Sequence, residues 1–172
     1  MTKILGILLI LFVIVDVGLG FIFFGPKGMM SPILNILPKN CKVVDSKYCK
    51  TVTIVGSGKS NETTVALFSL PRGTRIYAPV DGKLSFQRTA DRKDTPDDQV
   101  GLPYHLIEGR DGNTYFLIFE PEAAPQSRQI KSGEAIGIAT GKKYTYMQNR
   151  TLAISVVKNL MFNKAEFDAL FR

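Results

Sequence analysis

Beyond residue 50, apolar and polar side chains alternate in short runs at 51–55, 63–68, 74–78, 83–86, 105–108, 114–119, 135–139 and 151–157. Each run is rich in β-branched or aromatic residues and is bounded by Gly, Pro, Asn or Asp, which end strands and turn the chain. A period of two sends successive side chains to opposite faces of a sheet, so these runs predict a mainly β domain. Arg110, Asp111, Gly112 and Asn113 separate two of them, and Asp-Gly accepts the positive φ of a tight hairpin. One segment has helical spacing instead. At 162–171, Phe167, Leu170 and Phe171 can share an apolar face and pack back on the sheet. The stretch 51–172 is enough for one modest domain with its own core, and nothing in it suggests a second.

The first residues follow a different rule. Positions 4–24 are apolar except for Asp16 and three glycines, and as a helix they would reach roughly 31 Å, about the hydrocarbon thickness of a bilayer. Seventeen Leu, Ile, Val and Phe side chains, at about −0.3 to −0.6 kcal/mol each, outweigh the roughly +2.5 to +3.5 kcal/mol of one central Asp. A single transmembrane anchor over residues 1–25 is therefore expected. The rival reading is a cleaved signal peptide, with Lys3 as its charged start and Gly18 and Gly20 before the cut. Residues 21–24, however, prolong the apolar run past such a site. Asp16 is either a contact for a polar group on a partner membrane helix or a carboxyl that stays protonated or reaches for the headgroups.

Gly25, Pro26, Gly28, Pro32 and Pro38 stop any continuing helix, so residues 26–50 read as a juxtamembrane tether. Lys27, Lys39, Lys42, Lys47 and Lys50 make it basic, which suits anionic headgroups or simply solvent. Cys41 and Cys49 are the only cysteines. They can form one disulfide, stabilising by about 2 to 3 kcal/mol in the chain-entropy model if the compartment is oxidising. The other reading is two free buried thiols. A metal site is disfavoured, since no second Cys pair or His lies nearby.

The formal net charge of +7 sits largely in the tether and in surface residues such as Lys142 and Lys143. No basic-aromatic motif of a nucleic-acid module accompanies it. The bilayer, acidic envelope polymers or an envelope protein are the expected partners. Residues 89–99 place Asp91, Asp94, Asp97 and Asp98 beside Arg88, Arg92 and Lys93, a pattern that predicts an exposed loop and opposes calcium binding.

Two stretches carry a more specific signal. Residues 73–82 read Gly-Thr-Arg-Ile-Tyr-Ala-Pro-Val-Asp-Gly, and residues 130–141 read Ile-Lys-Ser-Gly-Glu-Ala-Ile-Gly-Ile-Ala-Thr-Gly. In this order and spacing they resemble the twin strand-turn-strand signatures of the duplicated hybrid motif. That β-sandwich or barrel-like fold is shared by LytM/lysostaphin-type zinc peptidases, lipoyl and biotinyl carriers and the glucose-type phosphotransferase carrier. The likeness to the LytM type covers roughly residues 63–171, with 104–119 as the central hairpin and 151–157 in place of the His-x-His strand.

The resemblance implies a zinc site of one His and one Asp four residues apart, then His-x-His, because Zn²⁺ takes N and O donors and keeps a place for water. In this chain those places fall on Thr63 and Leu67, on Thr151 and Ala153, and near Leu117 for the hairpin histidine. Leucine and alanine cannot ligate zinc, so no metal, cofactor or catalytic residue is expected. His105 is the only histidine. A phosphohistidine role is conceivable for it, but a half-buried, hydrogen-bonded strand residue is the commoner fate. Lys83 lacks the acidic surroundings of a lipoyl or biotinyl attachment lysine, and no Gly-x-Ser-x-Gly elbow or Cys-His pair exists.

Lysines after the span argue for a cytoplasmic domain by the positive-inside rule, whereas the cysteines and the resemblance argue for the outside. Outside is expected, since a long downstream domain can translocate despite its charge. The resemblance thus implies a membrane-anchored, catalytically inactive LytM-like domain that binds peptidoglycan or an envelope protein. It would use the degenerate groove near Thr63, Leu67, Leu117, Thr151 and Ala153, with Leu67 and Leu117 expected to pack as core. A membrane-fusion or adaptor subunit with a lipoyl-like domain is the alternative, although such proteins normally carry a long helical hairpin where this insert is short and polar.

Overall fold

The computed structural model describes residues 40–50, 52–56, 64–91, 95–97 and 99–172. The expected span, Asp16 and Thr63 lie outside the described residues, as does part of the acidic loop. Among the described residues no helix is long and apolar enough to cross a membrane.

The alternating runs form strands β1 (Thr53–Val55), β2 (Val65–Phe68), β3 (Thr74–Tyr77), β4 (Gly82–Arg88), β5 (Pro103–Gly109), β6 (Thr114–Ile118), β8 (Ala135–Ala139) and β9 (Leu152–Lys158). Two short strands, β7 (Arg128–Ile130) and β10 (Met161–Phe162), go beyond the pattern read from the sequence. The larger sheet runs β1-β2-β9-β6-β5-β4-β7, with β10 also on β9, while β3 and β8 form a second sheet. Every pairing among them is antiparallel. The fold is thus mainly β, as the period of two requires.

The expected hairpin joins β5 to β6. Gly112 takes φ of +77°, and its N–H donates to the Gly109 carbonyl at 3.1 Å. Asp111 fastens the turn by accepting from the Asn113 N–H at 3.0 Å and from the Tyr115 hydroxyl at 2.8 Å. Burial acts to raise the Asp111 pKa, but the Asn113 and Tyr115 bonds outweigh it and hold the carboxyl below its ordinary value.

Two strand-turn-strand units interlock. β3 and β4 flank one turn, β7 and β8 flank another, and β3 pairs with β8 while β4 pairs with β7. The turns clasp each other as well. The Ala78 N–H donates to the Glu134 carbonyl and the Gly133 N–H to that of Ala78, at 2.9 and 2.8 Å. The Ser132 N–H reaches the Asp81 carboxylate at 2.8 Å. Glu134 accepts from the Lys131 N–H at 3.0 Å and also pairs with Arg128.

One face of the large sheet makes the main core. Phe68, Leu84, Ile107, Leu117, Phe119, Leu152 and Ile154 pack there with Ile76 of β3 and Ile136 of β8. Gly137 in β8 admits the Phe119 ring, whose tip lies 3.0 Å from where a Cβ would stand. Helix α2 (Lys164–Ala169) covers the same core with Phe167 and is followed by Leu170. Asn163 caps it by accepting from the Glu166 N–H at 3.3 Å. The helix predicted over 162–171 is therefore present in shortened form, because Phe162 belongs to β10.

The entering chain joins this core too. Val43, Val44 and Cys49 are buried in it, the last in a short helix, α1 (Ser46–Cys49). Cys41 and Cys49 are disulfide-bonded, their Cα atoms 5.7 Å apart. The Lys42 N–H donates to the Leu170 carbonyl and the Tyr77 N–H to that of Val43, both at 2.9 Å. The segment read as tether thus becomes part of the domain by Val43.

Candidate functional site

The positions assigned to a groove divide between the two faces of the large sheet. Leu67 pairs with Ala153 across β2 and β9, and Ala153 pairs with Ile118 of β6. With Val65, Leu102, Tyr104, Tyr146 and Met147 they form a second, smaller core. Leu117 pairs with Ile154 and points to the opposite face, into the main core. The strand period allows nothing else, because Leu117 sits one residue from Ile118 and so on the other side of the sheet. The described members of the set therefore do not line one groove, contrary to the expectation. Their burial agrees with it: Leu67 is 1% exposed and Leu117 fully enclosed.

Thr151 also works inside the fold. Its hydroxyl accepts from the Leu70 N–H at 2.5 Å and donates to the Phe68 carbonyl at 3.1 Å. Over Leu67 and Ala153 lies a compact loop, residues 144–150, containing a 3₁₀ turn (Thr145–Met147) that buries Tyr146 and Met147. Gln148 and Asn149 reverse it with φ of +53° and +59°. Arg150 then ties the loop to Ser69, at 2.8 Å, and to Thr53, at 3.4 Å. The donor chemistry of a zinc centre does not fit here, since Leu67, Ala153 and Leu117 offer no lone pair to a metal.

His105 departs from its expected environment. On β5, between Phe86 of β4 and Leu117 of β6 in register, it is completely buried. Neither ring nitrogen has a hydrogen-bond partner among the described residues. The imidazole instead stacks on Phe119, centroids 3.9 Å apart, and tilts against Phe86 at 4.9 Å. Burial lowers its pKa to about 3; the nearby Leu117 backbone acts weakly in the opposite sense. The ring stays neutral in ordinary conditions, and enclosure on both faces leaves no approach for a phosphoryl donor.

A polar constellation that the sequence pattern did not single out sits beside it. Glu120, just past β6, accepts from Arg88 at the end of β4 and from the Tyr144 hydroxyl. Lys142 stands 3.6 Å away. The Arg88 bond, ahead of the charge effects, lowers the Glu120 pKa to about 2. Burial and the Glu120 bond raise that of Tyr144. Arg88 also donates to the Gly101 carbonyl at 2.9 Å, so one carboxylate gathers β4, β6, the 89–102 loop and the 140–150 loop. With three donors already on it, Glu120 acts as a staple and is not available as a general base. The available signal was a carboxylate set between the apolar end of a strand and Pro121; its partners lie too far along the chain to be read locally.

Lys83 is exposed as the second residue of β4, opposite Glu108 and Gln129, within the strand pairing. Among the described residues no group of three or more His, Cys, Asp or Glu is placed to hold a metal ion. No family model, curated protein or solved structure matches the chain.

Proposed function

We propose that the chain is a membrane-anchored binding or scaffold protein of the cell envelope. Its β domain is a catalytically inactive relative of the LytM type, built on the duplicated hybrid motif. The observation that carries this reading is the reciprocal pairing of β3 with β8 and β4 with β7, whose turns clasp through Ala78, Gly133 and Glu134. Two similar strand-turn-strand units related in this way are what a duplicated motif requires. Inactivity is supported by the packing of Leu67 and Ala153 into the smaller core, at positions the resemblance assigns to metal ligands. Because the 144–150 loop covers Leu67 and Ala153, the binding role falls to the outer surface. Peptidoglycan or an envelope protein is the partner, and Asp16 is the contact to a neighbouring membrane helix.

The test is affinity capture of the full-length chain from its native membranes, with and without Asp16→Leu, beside a peptidoglycan-cleavage assay. A membrane protein that co-purifies with the parent and is lost from Asp16→Leu is the expected result. Cleavage abolished by a chelator would overturn the inactive reading, and identical partners in both samples would reduce the segment to a plain anchor. A ring-shaped oligomer in detergent would favour the membrane-fusion type of subunit.

A further inference from the structure

β9 turns into β10 through two residues, Asn159 and Leu160, with Lys158 paired to Met161. Both turn residues have positive φ, +49° and +66°. Such a hairpin favours Asn at the first position and Gly at the second, because a bulky side chain is strained in the left-handed region. Leucine occupies the second position here. Packing covers less than half of it, for Leu160 and Met161 are each 55% exposed, the most exposed large apolar side chains among the described residues. The residues that follow tie the tip to the fold. Phe162, next in β10, is buried and meets the Phe167 ring at 5.3 Å, and Asn163 donates to Asn113 at 2.7 Å.

The charge beside the tip is positive and unspent. Lys158 is exposed, lies against Gly112 of the neighbouring hairpin, and has no carboxylate partner among the described residues. Lys164, by contrast, is engaged with Asp168 at 2.5 Å. Two apolar side chains on a narrow turn fall far short of the roughly 800 Å² per partner that a stable protein interface buries. They are enough to enter the boundary between headgroups and acyl chains, with a lysine left among anionic headgroups. We infer that the 158–161 turn is a membrane-contacting wedge, Leu160 and Met161 dipping into the lipid interface while Lys158 holds an anionic headgroup. This rests on the anchored reading, which keeps the domain beside a bilayer and lets so small a contact count through high local concentration.

The chain has no tryptophan, so Leu160→Trp supplies a single fluorescent reporter. Lys143→Trp, an exposed site in the loop at the other end of β9, is the control. Each full-length variant is reconstituted in vesicles of mixed zwitterionic and anionic lipid, with or without bromine high on the acyl chains. Blue-shifted emission and bromine quenching at position 160, absent at 143, is the expected result, and Lys158→Glu in the Leu160→Trp background should lessen it. Unquenched emission from 160 in protein that survives an alkaline carbonate wash would remove the wedge and leave the anchor standing. A blue shift without bromine quenching would assign the tip to a protein contact and overturn the lipid assignment. Equal quenching at both sites would also sink it, as non-specific adsorption. Protein lost in the wash would remove the anchored reading, and the wedge with it.

Discussion

The imidazole of His105 lies flat against the ring of Phe119, centroids 3.9 Å apart and planes within 11°. Its folded-state pKa, about 3 against an ordinary 6.5, means that between those values the unfolded chain binds a proton that the folded chain refuses. Stability linked to this ring is complete above pH 6.5 and declines as pH falls toward 3. His105→Phe removes the titrating group and keeps the stacking. Denaturation midpoints measured from pH 7 to 4 should fall less steeply in this variant than in the parent; parallel curves would refute the linkage.

Glu120 titrates lower. With its carboxyl held near 2 against 4.5 in the unfolded chain, its contribution is present above about pH 4.5 and disappears as pH falls through 2. At neutral pH, Glu120→Gln should cost about 1 to 3 kcal/mol, since it weakens charge-assisted bonds to Arg88 and Tyr144 that are partly exposed to solvent. Tyr144→Phe should cost less. Chemical denaturation of the two single variants and the double variant should reveal a loss smaller than the sum, the mark of a shared bond. Strict additivity would argue against it.

Leu117 and Leu67 test the division between the two faces. Leu117→Ala opens a cavity in the main core and should destabilise by about 2 to 5 kcal/mol. Leu67→Ala faces the smaller core under the 144–150 loop, where the chain can relax more readily, and should fall nearer the lower end. Amide exchange should separate them further: Leu67→Ala speeds exchange in the 144–150 loop, whereas Leu117→Ala speeds it in β6 and β9. Identical exchange maps would mean that the faces are not independent.

Cys41 and Cys49 close a short loop at the entrance to the domain. Thiol labelling of native membranes should leave both unmodified until a reductant is added. Replacing both by serine should cost about 2 to 3 kcal/mol in the chain-entropy model. Two labelled thiols in unreduced, denatured protein would contradict the pairing and weaken the proposal that the domain lies outside the cytoplasm.

The strands were legible wherever period two ran for four or more residues; the run 135–139 coincides with β8. β7 escaped because only Ile130 of its three residues is buried, which leaves an edge strand without alternation to read. β10 escaped for a different reason. It follows Asn159-Leu160, which lacks the glycine that marks a tight hairpin, and its two residues are too few for any period. The grouping of Leu117 with Leu67 and Ala153 was not legible, because a position given only as near Leu117 does not say which face of β6 it occupies, and the period of two puts Leu117 in the main core. The Arg88–Glu120–Tyr144 staple draws on three separated segments, and only tertiary folding brings them together. His105 was recognised as buried in part, but its complete enclosure depends on Phe86 and Phe119 from the two neighbouring strands.

The junction at Lys42 and Val43 joins the start of the domain to its last helix and to β3 through two backbone hydrogen bonds. A pull arriving at Asn40 would pass at Cys41 into the sulfur–sulfur bridge as well as into the backbone, so residues 42–48 cannot be drawn straight while that bridge is intact. Force entering there would also reach the Leu170 carbonyl and the half-buried Tyr77 through those two bonds, so the leading end of the domain cannot peel away without breaking contacts to residues far along the chain.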